Sequence, residues 1–166
     1  MPETRSVEVR SATPITQLVI ERAIKAQPER VFDAFTDPNQ LKKWWWPNGF
    51  TCPAAEVDLR VGGKYRLAME WPASTPAEAQ FSHSMGGEYY EIDRPHRLVM
   101  SGRALNDEEG ELFVTLIEVT FEARDGGTAL TMRQSYFEPM PSAEAMGGAE
   151  QGWSEQLDKL ERLLAD

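Results

Sequence analysis

The stretch from Ser142 to Asp166 constrains this chain most. Met146, Ala149, Trp153, Leu157, Leu160 and Leu164 recur at spacings of three and four, so a helix carries them on one face. Glu150, Glu155, Lys159 and Arg162 take the opposite side. Ser142, behind Pro141, predicts an N-cap, and Glu144 falls near the positive end of the helix dipole. A helix with one apolar stripe must bury that stripe on another element. The preceding residues read as a curved sheet that wraps it. Gly147, Gly148 and Gly152 are unusual here, because each costs about 1 kcal/mol against Ala inside a helix. Either a neighbour approaches closely, or the first turn frays and the helix starts near Ala149.

Residues 1–14 are polar, hold Pro2 and Pro14 and show no period, which predicts a flexible tail. Residues 15–166 are expected to form a single domain. Ile15 to Ala26 reads as a strand with Leu18, Ile20, Arg22, Ile24 and Ala26 on one face. Arg22 among apolar neighbours is either a structural ion pair or a polar contact to a ligand. Pro28 to Thr36 is a short helix, Asp37-Pro38 breaks it, and a second short helix runs to about Trp45 before Pro47. Trp44, Trp45 and Trp46 are consecutive, and helical residues turn by about 100° each, so at least one indole is expected at a rim or pocket mouth.

Further strands are expected at Glu56–Arg60, Lys64–Trp71, Met85–Asp93, Leu98–Arg103, Leu112–Ala123 and Thr128–Phe137. Asp125-Gly126-Gly127 is a hairpin signal, and residues 72–82 read as a long polar loop. Strands that follow one another through hairpins imply an antiparallel meander. The predicted class is therefore α+β: a curved antiparallel sheet of about seven strands around a long C-terminal helix, with two short helices between strands 1 and 2.

Composition narrows the function. The net charge of −10 argues against nucleic acid and against anionic membrane surfaces, since phosphate contacts need clustered Lys or Arg. No apolar run approaches the ~18 residues of a membrane span. A single cysteine, Cys52, excludes an intrachain disulfide and, with no secretory signal visible, points to the cytoplasm. No metal-ligand spacing, nucleophile elbow or phosphate loop is present, so no cofactor and no metal are expected. Val61-Gly62-Gly63 precedes a strand, whereas a dinucleotide loop precedes a helix.

Several segments together resemble one family. They are Ala26-Gln27-Pro28-Glu29-Arg30-Val31-Phe32-Asp33-Ala34-Phe35-Thr36-Asp37-Pro38 with Leu41 and Trp44-Trp45, then Asp58-Leu59-Arg60-Val61-Gly62-Gly63-Lys64-Tyr65. Gly87-Glu88-Tyr89-Tyr90-Glu91-Ile92-Asp93-Arg94-Pro95 with Leu98-Val99, Gly127-Thr128-Ala129-Leu130-Thr131, and Gly152-Trp153 complete the set. Over roughly residues 15–165 the chain resembles the START-related helix-grip superfamily. The branch is the one similar to the C-terminal domain of the activator of the 90-kDa heat-shock protein ATPase. The resemblance implies a seven-stranded sheet gripping the C-terminal helix, with a cavity between them. Superfamily members bind lipids, hormones or polyketides there, and a few catalyse cyclisations. The chaperone activator has an additional N-terminal domain that contributes to chaperone binding. This chain has only a short tail in that place, so chaperone binding is not expected of it.

On that fold the inward candidates are Trp45, Tyr65, Leu67, Met69, Trp71, Met85, Tyr90, Met100, Phe113, Ile117, Met132, Gln134, Tyr136, Met146 and Trp153. Such a lining, apolar with a few hydroxyls and one amide, suits an apolar or amphipathic small molecule, and seven methionines make it adaptable. The competing reading is a solid core. Arg22, His83 and Glu91 are the polar pocket candidates. A cyclase-like enzyme would need at least two of Arg22, His83, Tyr90 and Glu91 to converge in one cavity. A third class is protein interaction, as a chaperone cofactor or as a homodimer using an exposed Trp.

Overall fold

The computed structural model describes residues 14, 16–70, 83–106, 110–137 and 143–165. The expected tail, the 72–82 loop, the Ser142 cap and Trp71 lie outside these residues, as do the side chains of His83, Phe113 and Met146.

The elements follow in the order β1 (Thr16–Ile24), α1 (Pro28–Thr36), α2 (Pro38–Trp44), β2 (Ala55–Val57), β3 (Lys64–Met69), β4 (His83–Asp93), β5 (Arg97–Asn106), β6 (Gly110–Arg124), β7 (Gly127–Tyr136) and α3 (Ala143–Leu164). The seven strands form one antiparallel sheet ordered β1-β7-β6-β5-β4-β3-β2. Strands β2 to β7 are a meander. β1 pairs with β7, because α1 and α2 carry the chain from one edge of the sheet to the other before β2 begins. In that pairing Leu18 faces Gln134, Ile20 faces Met132 and Arg22 faces Leu130.

Local chemistry explains the boundaries. Pro28 and Pro38 each occupy a first helical turn, where a missing N–H costs nothing. The Asp37 side chain accepts from Asn39 N at 2.9 Å and caps α2. Asp125 and Gly126, both at positive φ, form the tight turn between β6 and β7. The second expected strand is shorter than its sequence suggests, Ala55–Val57 in place of Glu56–Arg60, since the chain turns at Arg60 to Gly62.

Ile117, Val119, Phe121, Leu130 and Met132 on the sheet meet Trp153, Leu157, Leu160 and Leu164 on α3 in one core with Phe32, Phe35, Leu41, Trp44 and Trp45. The aromatic rings pack edge to face: Phe35 with Trp44 at 4.7 Å, Trp44 with Trp45 at 5.0 Å and Trp45 with Trp153 at 5.4 Å between centroids. Each such pair adds about 1 kcal/mol beyond its buried area. Two adjacent indoles can both be buried because α2 ends at Trp44; Trp45 is already extended and Trp46 stands at φ 86°. Trp46 is the half-buried one, donating to the Ala68 carbonyl at 2.7 Å.

Of the two readings of the α3 glycines, close approach holds at Gly152. A Cβ there would sit 3.2 Å from Pro47 Cγ. The loop that carries Pro47 is fastened to α3. Lys159 Nζ donates to the carbonyls of Trp46, Pro47 and Phe50 at 2.9, 3.1 and 3.2 Å, and Glu155 accepts from Asn48 N.

Candidate functional site between the sheet and the C-terminal helix

Alternation along β7 places Leu130, Met132, Gln134 and Tyr136 toward α3. Gln134 is the centre of a buried polar network. Its Oε1 accepts from Trp153 Nε1 at 2.9 Å and from the Tyr136 hydroxyl at 3.0 Å. Its Nε2 donates to Thr115 Oγ1 at 3.1 Å, and Thr115 in turn donates to the Gly102 carbonyl at 3.0 Å. One amide thus joins β5, β6, β7 and α3. All four of its hydrogen-bonding side chains are at least nine-tenths buried.

A second polar group lies toward β3 and β4. The Tyr65 hydroxyl donates to the Ser101 carbonyl at 2.6 Å, and its ring lies 5.4 Å from that of Tyr89. Tyr65 pairs with Gly87, where a Cβ would fall on the Ser101 carbonyl oxygen; the missing side chain lets the phenol cross the strand. Gly102 plays a similar part on β5, leaving room for the side chains of Met85, Ile117 and Thr115. Burial pushes the phenols of Tyr65, Tyr89 and Tyr136 upward, so each remains a neutral hydroxyl.

Two buried donors find no acceptor among the described residues: Trp45 Nε1 and Gln156 Nε2. Outside this interior, a cleft of about 560 Å³ opens between β1, the end of β7 and the start of α3. Gln17, Leu18, Tyr136, Ala149, Glu150, Gln151 and Ser154 line it. Tyr136 belongs to both places: it lines the cleft and its hydroxyl reaches Gln134.

The structure buries Trp45, Tyr65, Leu67, Met100, Ile117, Met132, Gln134, Tyr136 and Trp153, and half-buries Met69 and Met85. Tyr90 is buried as well. A bulge between Tyr89 and Glu91 shifts the register and brings Tyr89 into the core beside Tyr65. Glu91 is a correction, for it points to the opposite face of the sheet and pairs with Arg97 at 2.9 Å, next to Glu118. Arg22 does face α3, but as an ion pair: Nη1 stands 2.7 Å from both Asp158 and Glu161. These carboxylates outweigh partial burial and hold its guanidinium above its ordinary pKa.

Sequence reasoning missed Thr115, Tyr89 and Gln156. Thr115 shares the alternation of Ile117 and Val119, and Gln156 lies one turn beyond Trp153 on the same face. The same periodicities that place Gln134 and Trp153 inward could have found both. Tyr89 had no such signal, since a bulge leaves no trace in a period of two. Cys52 is buried, and burial raises its thiol pKa, which makes it a poor nucleophile. Among the described residues no helix is long and apolar enough to cross a membrane.

The sequence family described as Activator of Hsp90 ATPase homolog 1-like protein matches residues 25–165. A solved protein from Chromobacterium violaceum is 30% identical, covers 90% of this chain and 97% of its own length, and superposes with a TM-score of 0.74. A second, from Rhizobium leguminosarum, is 27% identical with the same TM-score, over 90% of this chain and 94% of that one. The AHSA1 protein of Silicibacter pomeroyi, at 21% identity and TM-score 0.72, shares the fold over 90% of this chain and 98% of its own. No curated protein matches the sequence.

Proposed function

Because this chain belongs to the family described as Activator of Hsp90 ATPase homolog 1-like protein, we propose that it binds an apolar or amphipathic small molecule between the sheet and the C-terminal helix. The observation that carries this reading is the Gln134 network beside the cleft. A fully satisfied buried amide holds the side chains around it in one arrangement, so the wall it belongs to is rigid. A few fixed polar groups in an apolar wall are what a small-molecule site requires. Tyr136 connects the cleft to that network, so the cleft is the mouth of the site.

Binding is favoured over catalysis by where the charged candidates lie. Arg22 and Glu91 sit on opposite faces of the sheet, each held by opposite charge, so the convergence that a cyclase-like mechanism needs is not met by this pair. The test is titration with Nile red, an uncharged apolar dye. Saturable one-to-one binding is expected, and Ala149→Trp, which fills the cleft from its half-buried place on α3, should abolish it while the fold persists. Absence of saturable binding to the native protein would reject the proposal.

A further inference from the structure

The gap between β1 and α3 has two ends. Glu150, Ser154, Asp158 and Glu161 follow one another at spacings of four, four and three, so α3 carries them on one side. At one end Arg22 closes the gap: Nη1 stands 2.7 Å from Asp158 and from Glu161, and Nη2 donates to Ser154 at 3.4 Å. Glu150 precedes Asp158 by eight residues, about 12 Å along the helix axis. Leu18 precedes Arg22 by four residues on the same face of β1, about 13 Å along the strand. The two elements stay in step, and at this other end the gap is open. It is the cleft of about 560 Å³, with Leu18 on the β1 wall and Ala149, Glu150 and Ser154 on the α3 wall.

Charge in the cleft is one-sided. Among the described lining residues Glu150 alone is charged, and no Lys or Arg stands with it. Among the described residues no cation pairs with Glu150. The guanidiniums of the neighbouring strands are engaged elsewhere: Arg22 with Asp158 and Glu161, and Arg133 with Gln17 Oε1 at 3.3 Å, from outside the lining. Donors in the wall turn to protein as well. Gln17 Nε2 donates to Ser135 at 2.9 Å, Gln151 Nε2 to Glu155 at 3.0 Å and the Tyr136 hydroxyl to Gln134 at 3.0 Å. An anionic guest would meet a like charge and no counter-charge. An ammonium would give Glu150 the pairing that Arg22 gives Asp158 and Glu161.

We propose that the ligand class of this cleft is a cationic amphiphile, an amine on an apolar body. Its ammonium pairs with Glu150, and its apolar part lies on Leu18, Ala149 and Tyr136. This rests on the binding reading above and adds the ligand's charged end to it.

The test compares three probes of similar shape at neutral pH: 2-naphthylmethylamine, which is protonated, 2-ethylnaphthalene, which is uncharged, and 2-naphthoate. In dilute salt the amine should bind about threefold more tightly than the hydrocarbon, and the carboxylate more weakly than either. Raising the salt from about 0.01 M to about 1 M should erase the order, as the screening length falls from ~30 Å to ~3 Å. Glu150→Gln should remove the preference for the amine. Glu29→Gln, the same charge change at an exposed place on α1, should keep it, which separates pairing at the cleft from general attraction to an acidic chain. In the unmodified protein the amine but not the hydrocarbon should shift the Glu150 carboxylate carbon resonance; this readout does not depend on a variant folding. Equal affinities for amine and hydrocarbon, or a preference that survives Glu150→Gln, would overturn the cation assignment and leave the binding reading intact. So would failure of all three naphthalenes while Nile red still binds. Failure of Nile red as well would remove the binding reading itself.

Discussion

Trp153 Nε1 donates to Gln134 Oε1 across 2.9 Å, and both side chains are buried. This contact fixes the azimuth of α3 over the sheet, which apolar packing alone does not, because dispersion is non-directional. Gln134→Leu would strand the Trp153 N–H and the Tyr136 O–H together. The expected loss is about 2–4 kcal/mol in urea unfolding, most of it the desolvation of the two orphaned donors. A double-mutant cycle with Trp153→Phe should return a coupling of about 1 kcal/mol.

Arg22 answers to electrostatics at the rim. Its partners Asp158 and Glu161 are partly exposed, so the pair contributes little in water. Arg22→Met should cost about 1 kcal/mol or less, and the difference should shrink further in about 1 M salt, where the screening length falls to ~3 Å. Nile red affinity should stay as it was, since the guanidinium serves helix docking.

At Gly87 a Cβ would collide with the Ser101 carbonyl oxygen, on the path that Tyr65 uses to reach it. Gly87→Ala is expected to destabilise by about 2–3 kcal/mol, as overpacking in a rigid core does. Thermal unfolding checks it. Gly62→Ala is the useful contrast: no neighbour stands within 4 Å, so only its φ of +85° resists the change and the cost should be nearer 1 kcal/mol.

Alkali should unfold the protein through its buried phenols. The folded-state pKa values of Tyr65, Tyr89 and Tyr136 lie above the ordinary value of 10.0. Their contribution is therefore complete below that pH and is lost as pH rises through the folded-state values, because only the unfolded chain ionises at first. Burial lowers the Lys159 pKa from 10.5, which acts in the opposite sense just below that value; one partly exposed amine should not outweigh three phenols. Stability should fall steadily above pH ~10, with tyrosinate absorbance appearing together with unfolding. Tyr89→Phe should flatten that slope. A tyrosinate signal that precedes loss of secondary structure would contradict the account.

Lys159→Met removes the donor shared by three carbonyls in the loop that holds Trp46 at positive φ. The loop amides should exchange faster with solvent, and stability should drop by about 1 kcal/mol.

Periodicity determined the elements. A repeat of two along β1 and β7 named Leu18, Ile20, Arg22, Ile24, Leu130, Met132, Gln134 and Tyr136 as one face, and a repeat of three and four named the α3 stripe. These patterns are local, so a sequence carries them in full. The prolines, the Asp125-Gly126 turn and the helix-grip resemblance came the same way. What only the tertiary structure decided is which faces meet and which polar groups find each other. β1 lies against β7, with Thr16 opposite Tyr136, because α1 and α2 span the sheet. The bulge that brings Tyr89 into the core belongs to the pairing of two strands rather than to either alone. Arg22 chooses ion pairing because Asp158 and Glu161 arrive from the far end of the chain. The pairing of Trp153 and Thr115 with Gln134, and the lack of an acceptor for Trp45 Nε1 and Gln156 Nε2 among the described residues, depend on distances between separate elements. Hydrogen bonds are short and directional, so their partners are settled only once the sheet and the helix have taken their places.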